Sequence, residues 1–224
     1  MKKIQITIDG PAASGKSSVA RLIAENLGGY YVNTGDMYRT LTLEIIRDDI
    51  EIKTGSQEIS DLLCNCDIRY TKKNDNSLEL MLNSEKVNYK NIRSPEVASH
   101  VSEVATLPEV REWMVERQRK SSSLGLIIME GRDIGTVVFP NAAHKFYVTA
   151  SPEERARRRL AQPGEVKEGS TVETVAKEIA MRDKIDSERK VAPLKPAEDA
   201  QIIDTTNMTL NDVVEKITNS ITIL

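Results

Sequence analysis

Gly10-Pro11-Ala12-Ala13-Ser14-Gly15-Lys16-Ser17 carries the pattern G-x-x-x-x-G-K-[ST] in full. Residues of these types at this spacing hold the phosphates of a nucleoside triphosphate. The glycines let backbone N–H groups turn inward around phosphate oxygens. A helix starting where the loop ends adds the positive end of its dipole. Lys16 is placed to reach the β- and γ-phosphates, and the Ser17 hydroxyl to ligate Mg2+. These eight residues, with Ser18 just beyond, are the candidate triphosphate site.

A phosphate cradle does not by itself name a reaction. A guanine-nucleotide switch needs Asn-Lys-x-Asp and Asp-x-x-Gly, and neither occurs in this chain. A transport or motor ATPase needs partner-facing signature segments, and none is visible. A kinase of a small acceptor needs a second anion site with several arginines, and these are present. Arg39 follows the second apolar segment and Arg132 the third. Arg155, Arg157, Arg158 and Arg159 lie together, and Arg182 and Arg189 lie further on. Arg182, Asp186 and Arg189 are four and three apart, the spacing of one helix face. That stripe begins as Val172, Val175 and Ile179 and then turns ionic. A helix whose far end covers a charged ligand would read this way. So would an internal ion-pair ladder around Asp186. For any single arginine, a solvated helix face is the plain alternative.

The elements that must position these groups are legible from periodicity. Residues 4–8 alternate apolar and polar into Asp9-Gly10, a first strand entering the loop. A helix over residues 17–27 follows, closed by Gly28-Gly29. Residues 30–32 form a short second strand, and residues 38–47 a helix. Residues 67–90 change character, with short strands over 67–70, 77–82 and 85–89 joined by Asn, Asp and Ser turns. Ser94-Pro95 opens a helix, Leu107-Pro108 breaks it, and a second helix runs to Lys120. Residues 126–129 are continuously apolar, the sign of a strand covered on both faces. Residues 145–149 form another strand. Ser151-Pro152-Glu153-Glu154 has the capping-box spacing at a helix start. Gln162-Pro163-Gly164 begins a polar stretch to Ser170, followed by a long helix to Val191 that Pro193 ends. Residues 202–204 are a last strand, and Leu210, Val213, Val214 and Ile217 mark a last helix. Strands alternating with helices predict an α/β fold with a mostly parallel, doubly wound sheet, whose ligands bind at the carboxyl ends of the strands.

Bulk properties agree. The chain has 224 residues, 39% hydrophobic and 29% charged, enough for one α/β domain. Its net charge of −3 argues against a general nucleic-acid binder. No apolar run approaches membrane-spanning length, and the start lacks a signal-peptide pattern, so a cytoplasmic protein is expected. Cys64 and Cys66 are too few for a structural zinc site and read as reduced residues. His100 and His144 stand isolated and are assigned no chemistry.

On these motifs the chain resembles the bacterial cytidylate kinase family, a branch of the nucleoside monophosphate kinases, over essentially its whole length. The carriers are Ile8-Asp9-Gly10-Pro11; Thr34-Gly35 with Tyr38-Arg39; Gly131-Arg132-Asp133 with Gly135-Thr136-Val137-Val138-Phe139-Pro140; and Arg182, Asp186 and Arg189-Lys190-Val191-Ala192-Pro193-Leu194. The resemblance implies transfer of the γ-phosphate of ATP to CMP, and to dCMP as a second acceptor, with Mg2+. The alternatives are a kinase of another monophosphate such as UMP, and a P-loop binding or switch protein.

The resemblance also implies roles and regions. Thr34, Tyr38, Ser102, Arg111 and Asp133 would line the cytosine pocket. Arg39, Arg132 and Arg189 would hold the acceptor phosphate, and with Lys16 they form the catalytic set. Arg182 and Asp186 would reach the sugar. Arg155, Arg158 and Arg159 would belong to a helical lid over ATP. The core would comprise about residues 1–50, 121–150 and 195–224. The monophosphate-binding region with its antiparallel insert would be about 51–120, and the lid with its following helix about 151–194. A monomer is expected. The residue chemistry is consistent on its own terms. Cytosine presents an amino donor beside acceptors. Asp133 can accept from the amine and Arg111 can donate to the acceptors, whereas uracil would turn a carbonyl toward Asp133. Two positions depart from the family pattern, which commonly has Asp at Asn33 and at Glu130. Glu130 ends the third strand, where a carboxylate can hold a Mg2+-bound water. No general base stands out. Transfer to a phosphate that is already anionic rests mainly on positioning and charge neutralisation.

Overall fold

The computed structural model describes residues 4–75, 77–162, 166 and 169–222. Five parallel strands form the main sheet in the order β2-β6-β1-β7-β8: β1 (Gln5–Asp9), β2 (Tyr30–Asn33), β6 (Ile127–Gly131), β7 (His144–Thr149) and β8 (Gln201–Asp204). Three further strands, β3 (Ile68–Lys72), β4 (Leu78–Leu82) and β5 (Glu85–Lys86), form a separate antiparallel sheet. This is the doubly wound sheet with a small antiparallel insert that the periodicity predicted.

The apolar run of β6 is explained by its two faces. Ile127 and Met129 pack with Val32, Met37, Leu41, Val110 and Met114, beneath α2 (Thr34–Arg47) and α6 (Pro108–Lys120). Ile128 points the other way, into a cluster with Ile6, Ile8, Ile23, Phe146 and Ile217, beneath α1 (Lys16–Leu27) and α9 (Leu210–Asn219). A strand buried on both sides cannot alternate apolar with polar.

Several boundaries differ from the sequence reading, each for a local reason. Helix α2 begins at Thr34 rather than residue 38, because the Asn33 side chain accepts from Asp36 N at 3.1 Å and caps it. A helix α3 (Gln57–Asn65), capped by Ser56, was missed. Among its residues only Ile59 and Leu63 are buried, too weak a stripe to announce it. The expected strand over residues 85–89 is only Glu85–Lys86, and residues 89–92 form a single helical turn, α4 (Tyr89–Ile92). The helix α5 (Pro95–Val104) opens with Ser94 as cap and Pro95 in the first turn, as predicted. After β6 the chain makes one π turn over Ile134–Val138. The helix α7 (Pro152–Leu160) is capped by Ser151, which accepts from Glu154 N at 3.2 Å. The reciprocal half of the box is absent. Ser151 N donates to Thr206, and the Glu154 carboxylate accepts from Arg158.

The long helix α8 (Val172–Glu188) stops three residues short of the expected Val191. Arg189 is extended at φ −60, ψ 140, and its Nε donates to Ala192 O at 2.6 Å. Leu194 N donates back to Asp186 O at 2.7 Å. Pro193 excludes helical backbone at Ala192, so the chain folds back over the helix end. Arg189 therefore sits beyond the face that carries Arg182 and Asp186. Of the predicted polar stretch, residues 163–165, 167 and 168 lie outside the described residues.

Candidate active site

The carboxyl ends of β1, β2 and β6 open into one cleft. Its wall draws on the glycine loop, the start of α2, Ser102 of α5, Arg111 of α6, Glu130-Gly131-Arg132-Asp133, Arg159 of α7, Arg182 and Asp186 of α8, and Arg189. Candidates that are scattered over the sequence are thus brought to one place.

The loop is built for close backbone approach. A Cβ on Gly10 would lie 2.0 Å from Val148 O, and Gly15 sits at φ 89, where glycine alone is unstrained. Lys16 is buried and donates to Pro11 O at 3.0 Å. Burial, and then the nearby cations led by Arg132, push its ammonium down to about 7. Such a lysine gains most from an anion placed beside it. The Ser17 hydroxyl donates to Glu130 Oε1 at 2.7 Å. Among the described residues no group of three His, Cys, Asp or Glu side chains is placed to hold a metal.

Two arginines of α7 grip the loop from outside. Arg155 donates to Ala12 O at 3.1 Å and pairs with Asp183, which accepts from Ala12 N at 3.1 Å. Arg158 donates to Ser14 O at 3.2 Å and to Thr205 Oγ1 at 2.9 Å. Both contact backbone of the loop, whereas Arg159 lines the cleft. Asp183 was missed in the sequence. Its partner lies 28 residues away, and its neighbours Arg182 and Lys184 give no local signal.

Across the cleft, cations crowd together. Arg39 donates to Ile92 O at 3.2 Å, and Arg132 Nε donates to Asp186 at 2.9 Å. Arg39 and Arg159 are each pushed down to about 10 and Arg182 to about 9. Burial is the chief cause in all three, and neighbouring arginines are the next. Among the described residues, Ser14 Oγ, Ser102 Oγ and Arg182 Nε are buried without a hydrogen-bond partner. Desolvated, mutually repelling guanidinium groups beside unpaired polar atoms form a site for multiple phosphate oxygens.

At the cleft's far end, Arg111 and Asp133 form a buried ion pair, and Arg111 also donates to Tyr38 Oη at 3.3 Å. Arg189 lies 3.5 Å from the other Asp133 oxygen. The bend carrying Arg132 and Asp133 is pinned by Asp9, whose carboxylate accepts from Ile134 N at 2.9 Å and Gly135 N at 2.8 Å. Thr34 donates to Glu130 O at 2.8 Å, tying α2 to β6. Asp36 pairs with Arg93 at 2.6 Å, and both line the cleft. Asp9, Asp36 and Arg93 also went unassigned in the sequence. Asp9 stood inside the Ile8-Asp9-Gly10-Pro11 motif and offered a signal. Arg93, in the loop before α5, offered none.

The cytidylate kinase family model matches residues 6–223. A Geobacillus sp. (strain WCH70) protein named cytidylate kinase is 48% identical over 96% of this chain and 94% of its own length. A Bacillus subtilis (strain 168) protein of the same name is 43% identical over 98% and 97%. Among solved structures, a protein from Eubacterium ventriosum ATCC 27560 superposes with a TM-score of 0.52 at 12% identity, over 96% of both chains, a likeness of fold alone. With a family match across nearly every residue and relatives near half identity, this chain belongs to the cytidylate kinase family.

Proposed function

We propose that this chain transfers the γ-phosphate of ATP to CMP, and to dCMP, releasing ADP and CDP or dCDP. The observation that carries the reading is the buried Arg111–Asp133 pair in the same cleft as the glycine loop. It sets a fixed donor beside a fixed acceptor, the complement of cytosine's edge and the wrong arrangement for uracil's.

ATP lies on the loop, with Lys16 and Arg159 facing its phosphates. CMP lies opposite, its base between Tyr38, Ser102, Arg111 and Asp133, and Thr34 closes that pocket from the α2 side. Arg39, Arg132 and Arg189 take the acceptor phosphate. Arg182 and Asp186 take the sugar, and Asp186 also aims Arg132. The acceptor oxygen attacks the γ-phosphorus and the bond to the β-phosphate oxygen breaks. No proton need move first, because the acceptor is already an anion. The chain's task is to align two polyanions and to neutralise charge spreading over the transferred group. Crowded guanidinium groups supply that neutralisation.

Mg2+ fits the oxygen donors at the loop. Ser17 would hold it directly, and Glu130 through a bound water. When bound, the ion neutralises charge on the β- and γ-phosphates. In this reading the described parts of residues 151–194, namely 151–162 and 169–194, close over ATP, and the described parts of residues 51–120 carry the acceptor side, around a core made of the other described residues. In this reading the chain acts as a monomer. Among the described residues no helix is long and apolar enough to cross a membrane. Cys64 and Cys66 are free thiols, in keeping with a reducing cytoplasm.

The test is coupled ADP release with CMP, dCMP, UMP and no acceptor under identical ATP. CMP and dCMP should drive turnover well above UMP. UMP equal to or above CMP would overturn the assignment.

A further inference from the structure

Asn33 and Glu130 lie opposite each other in the β2–β6 pairing, at the carboxyl ends of both strands. We propose that Asn33 and Tyr31 form a one-way hydrogen-bond relay that positions Glu130 against Ser17 at the metal edge of the phosphate loop. The inference rests on the Mg2+ and Ser17 reading given above.

The direction of each bond follows from the one before it. A backbone N–H can only donate, so the Asn33 Oδ1 that meets Asp36 N at 3.1 Å is the acceptor. The amide then turns its Nδ2 toward Tyr31 Oη, at 3.1 Å. An amide NH2 only donates, so the phenol oxygen accepts and keeps its one proton for Glu130 Oε1, at 3.3 Å. Ser17 Oγ donates to the same oxygen at 2.7 Å. Both donors fall on Oε1, which leaves Oε2 able to accept from a metal-bound water. Asn33 and Glu130 are 6% and 3% exposed, so bulk water does not readily replace a lost partner. Tyr31 is steadied by Arg21, whose guanidinium lies 5.4 Å from the ring centre.

Asp at 33 would accept rather than donate, and the phenol proton would be drawn to either of two neighbouring carboxylates. With Asn, the longer Glu130 is aimed in one direction only. Tyr31 and Asn33 are positioning residues. They act on the metal edge through Glu130.

The test compares Tyr31→Phe and Asn33→Asp with the wild type by titration calorimetry of AMP-PNP, with and without MgCl2, together with steady-state kinetics. Both variants should bind the Mg2+ complex more weakly by roughly 10-fold, the scale seen when the outer partners of metal ligands are removed. Metal-free binding should stay within about twofold, and the KM for CMP should not change. Half-saturating Mg2+ should rise by a similar factor. Equal losses with and without Mg2+, or no loss in either, overturn the relay. If one variant fails to fold, the other decides. A wild type that phosphorylates CMP while both variants behave normally sinks the relay and leaves the function standing. A wild type inactive on CMP sinks the function whatever the calorimetry shows.

Discussion

At the scale of single residues, Lys16 is held down to about 7 by burial and by nearby arginines, in a cleft made for anions. A bound triphosphate favours the ammonium, so ATP binding should draw a proton to Lys16 at pH 8, above that value. At pH 6 the lysine is already charged and the uptake should vanish. Calorimetry in buffers of different ionisation enthalpy measures the uptake. The difference from Lys16→Met isolates it from protons carried by ATP itself. Equal uptake in both proteins at pH 8 would refute the assignment. Lys16→Ala should cut turnover by about 100-fold or more, the scale of losing one preorganised electrostatic contact. Thermal stability should not fall, because a desolvated cation is removed. Near-normal turnover in the folded variant would contradict the role. Asp133→Asn should shift the CMP-to-UMP ratio of kcat/KM by about 1–3 kcal/mol toward UMP, since an amide can offer uracil a donor. An unchanged ratio would mean that Asp133 serves Arg111 rather than the base. The residues legible from local spacing were the glycine loop, Arg39, Arg132-Asp133 and the helical stripe of Arg182 and Asp186, whereas Ser102 and Arg111 were named only through the family resemblance. Those that stayed hidden, Asp183 and Arg93 among them, act through partners distant in sequence, and single-chain spacing does not encode such pairs.

At the scale of elements, α7 and α8 meet on the phosphate loop. Arg155 and Asp183 clasp the Ala12 peptide from both its N–H and its carbonyl. The sequence placed Arg155 and Arg158 over the phosphates, whereas the structure sets them against loop backbone and turns Arg159 into the cleft. If residues of α7 and α8 move as the proposed lid, these contacts carry the movement to the cradle. Amide exchange over residues 151–162 and 169–190 should slow most when ATP and CMP analogues bind together, and less with either alone. The same exchange with and without both ligands would rule out closure. Asp183→Asn keeps the shape but weakens the clasp. It should raise the KM for ATP several-fold and leave the KM for CMP nearly unchanged. Equal changes in both would place Asp183 elsewhere in the mechanism. Helices with caps and full apolar stripes were legible at this scale, as α5 shows through Ser94 and Pro95. The short α3, with two buried side chains, was not. The end of α8 escaped because a fold-back through Arg189, Ala192 and Leu194 decides it, and periodicity carries no trace of that.

For the molecule as a whole, the alternation of strands and helices announced a parallel sheet, and the continuous apolar run of residues 126–129 announced its doubly covered centre. Strand order was not legible, because pairing β6 between β2 and β1 depends on packing across the whole chain. That order brings Glu130, Arg132 and Asp133 beside the loop, with Glu130 lying 113 residues from Ser17, and so makes one cleft. A cleft of this kind suits the passage of a phosphoryl group between two nucleotides. The direct measurement is to incubate the protein with Mg2+, CMP and ATP labelled at the γ-phosphate, and to separate the products. The account predicts that the label appears in CDP, with little in free phosphate, and that without CMP almost none leaves ATP. Label released as inorganic phosphate at a rate indifferent to CMP would contradict it, and would mark a nucleotide hydrolase or switch instead.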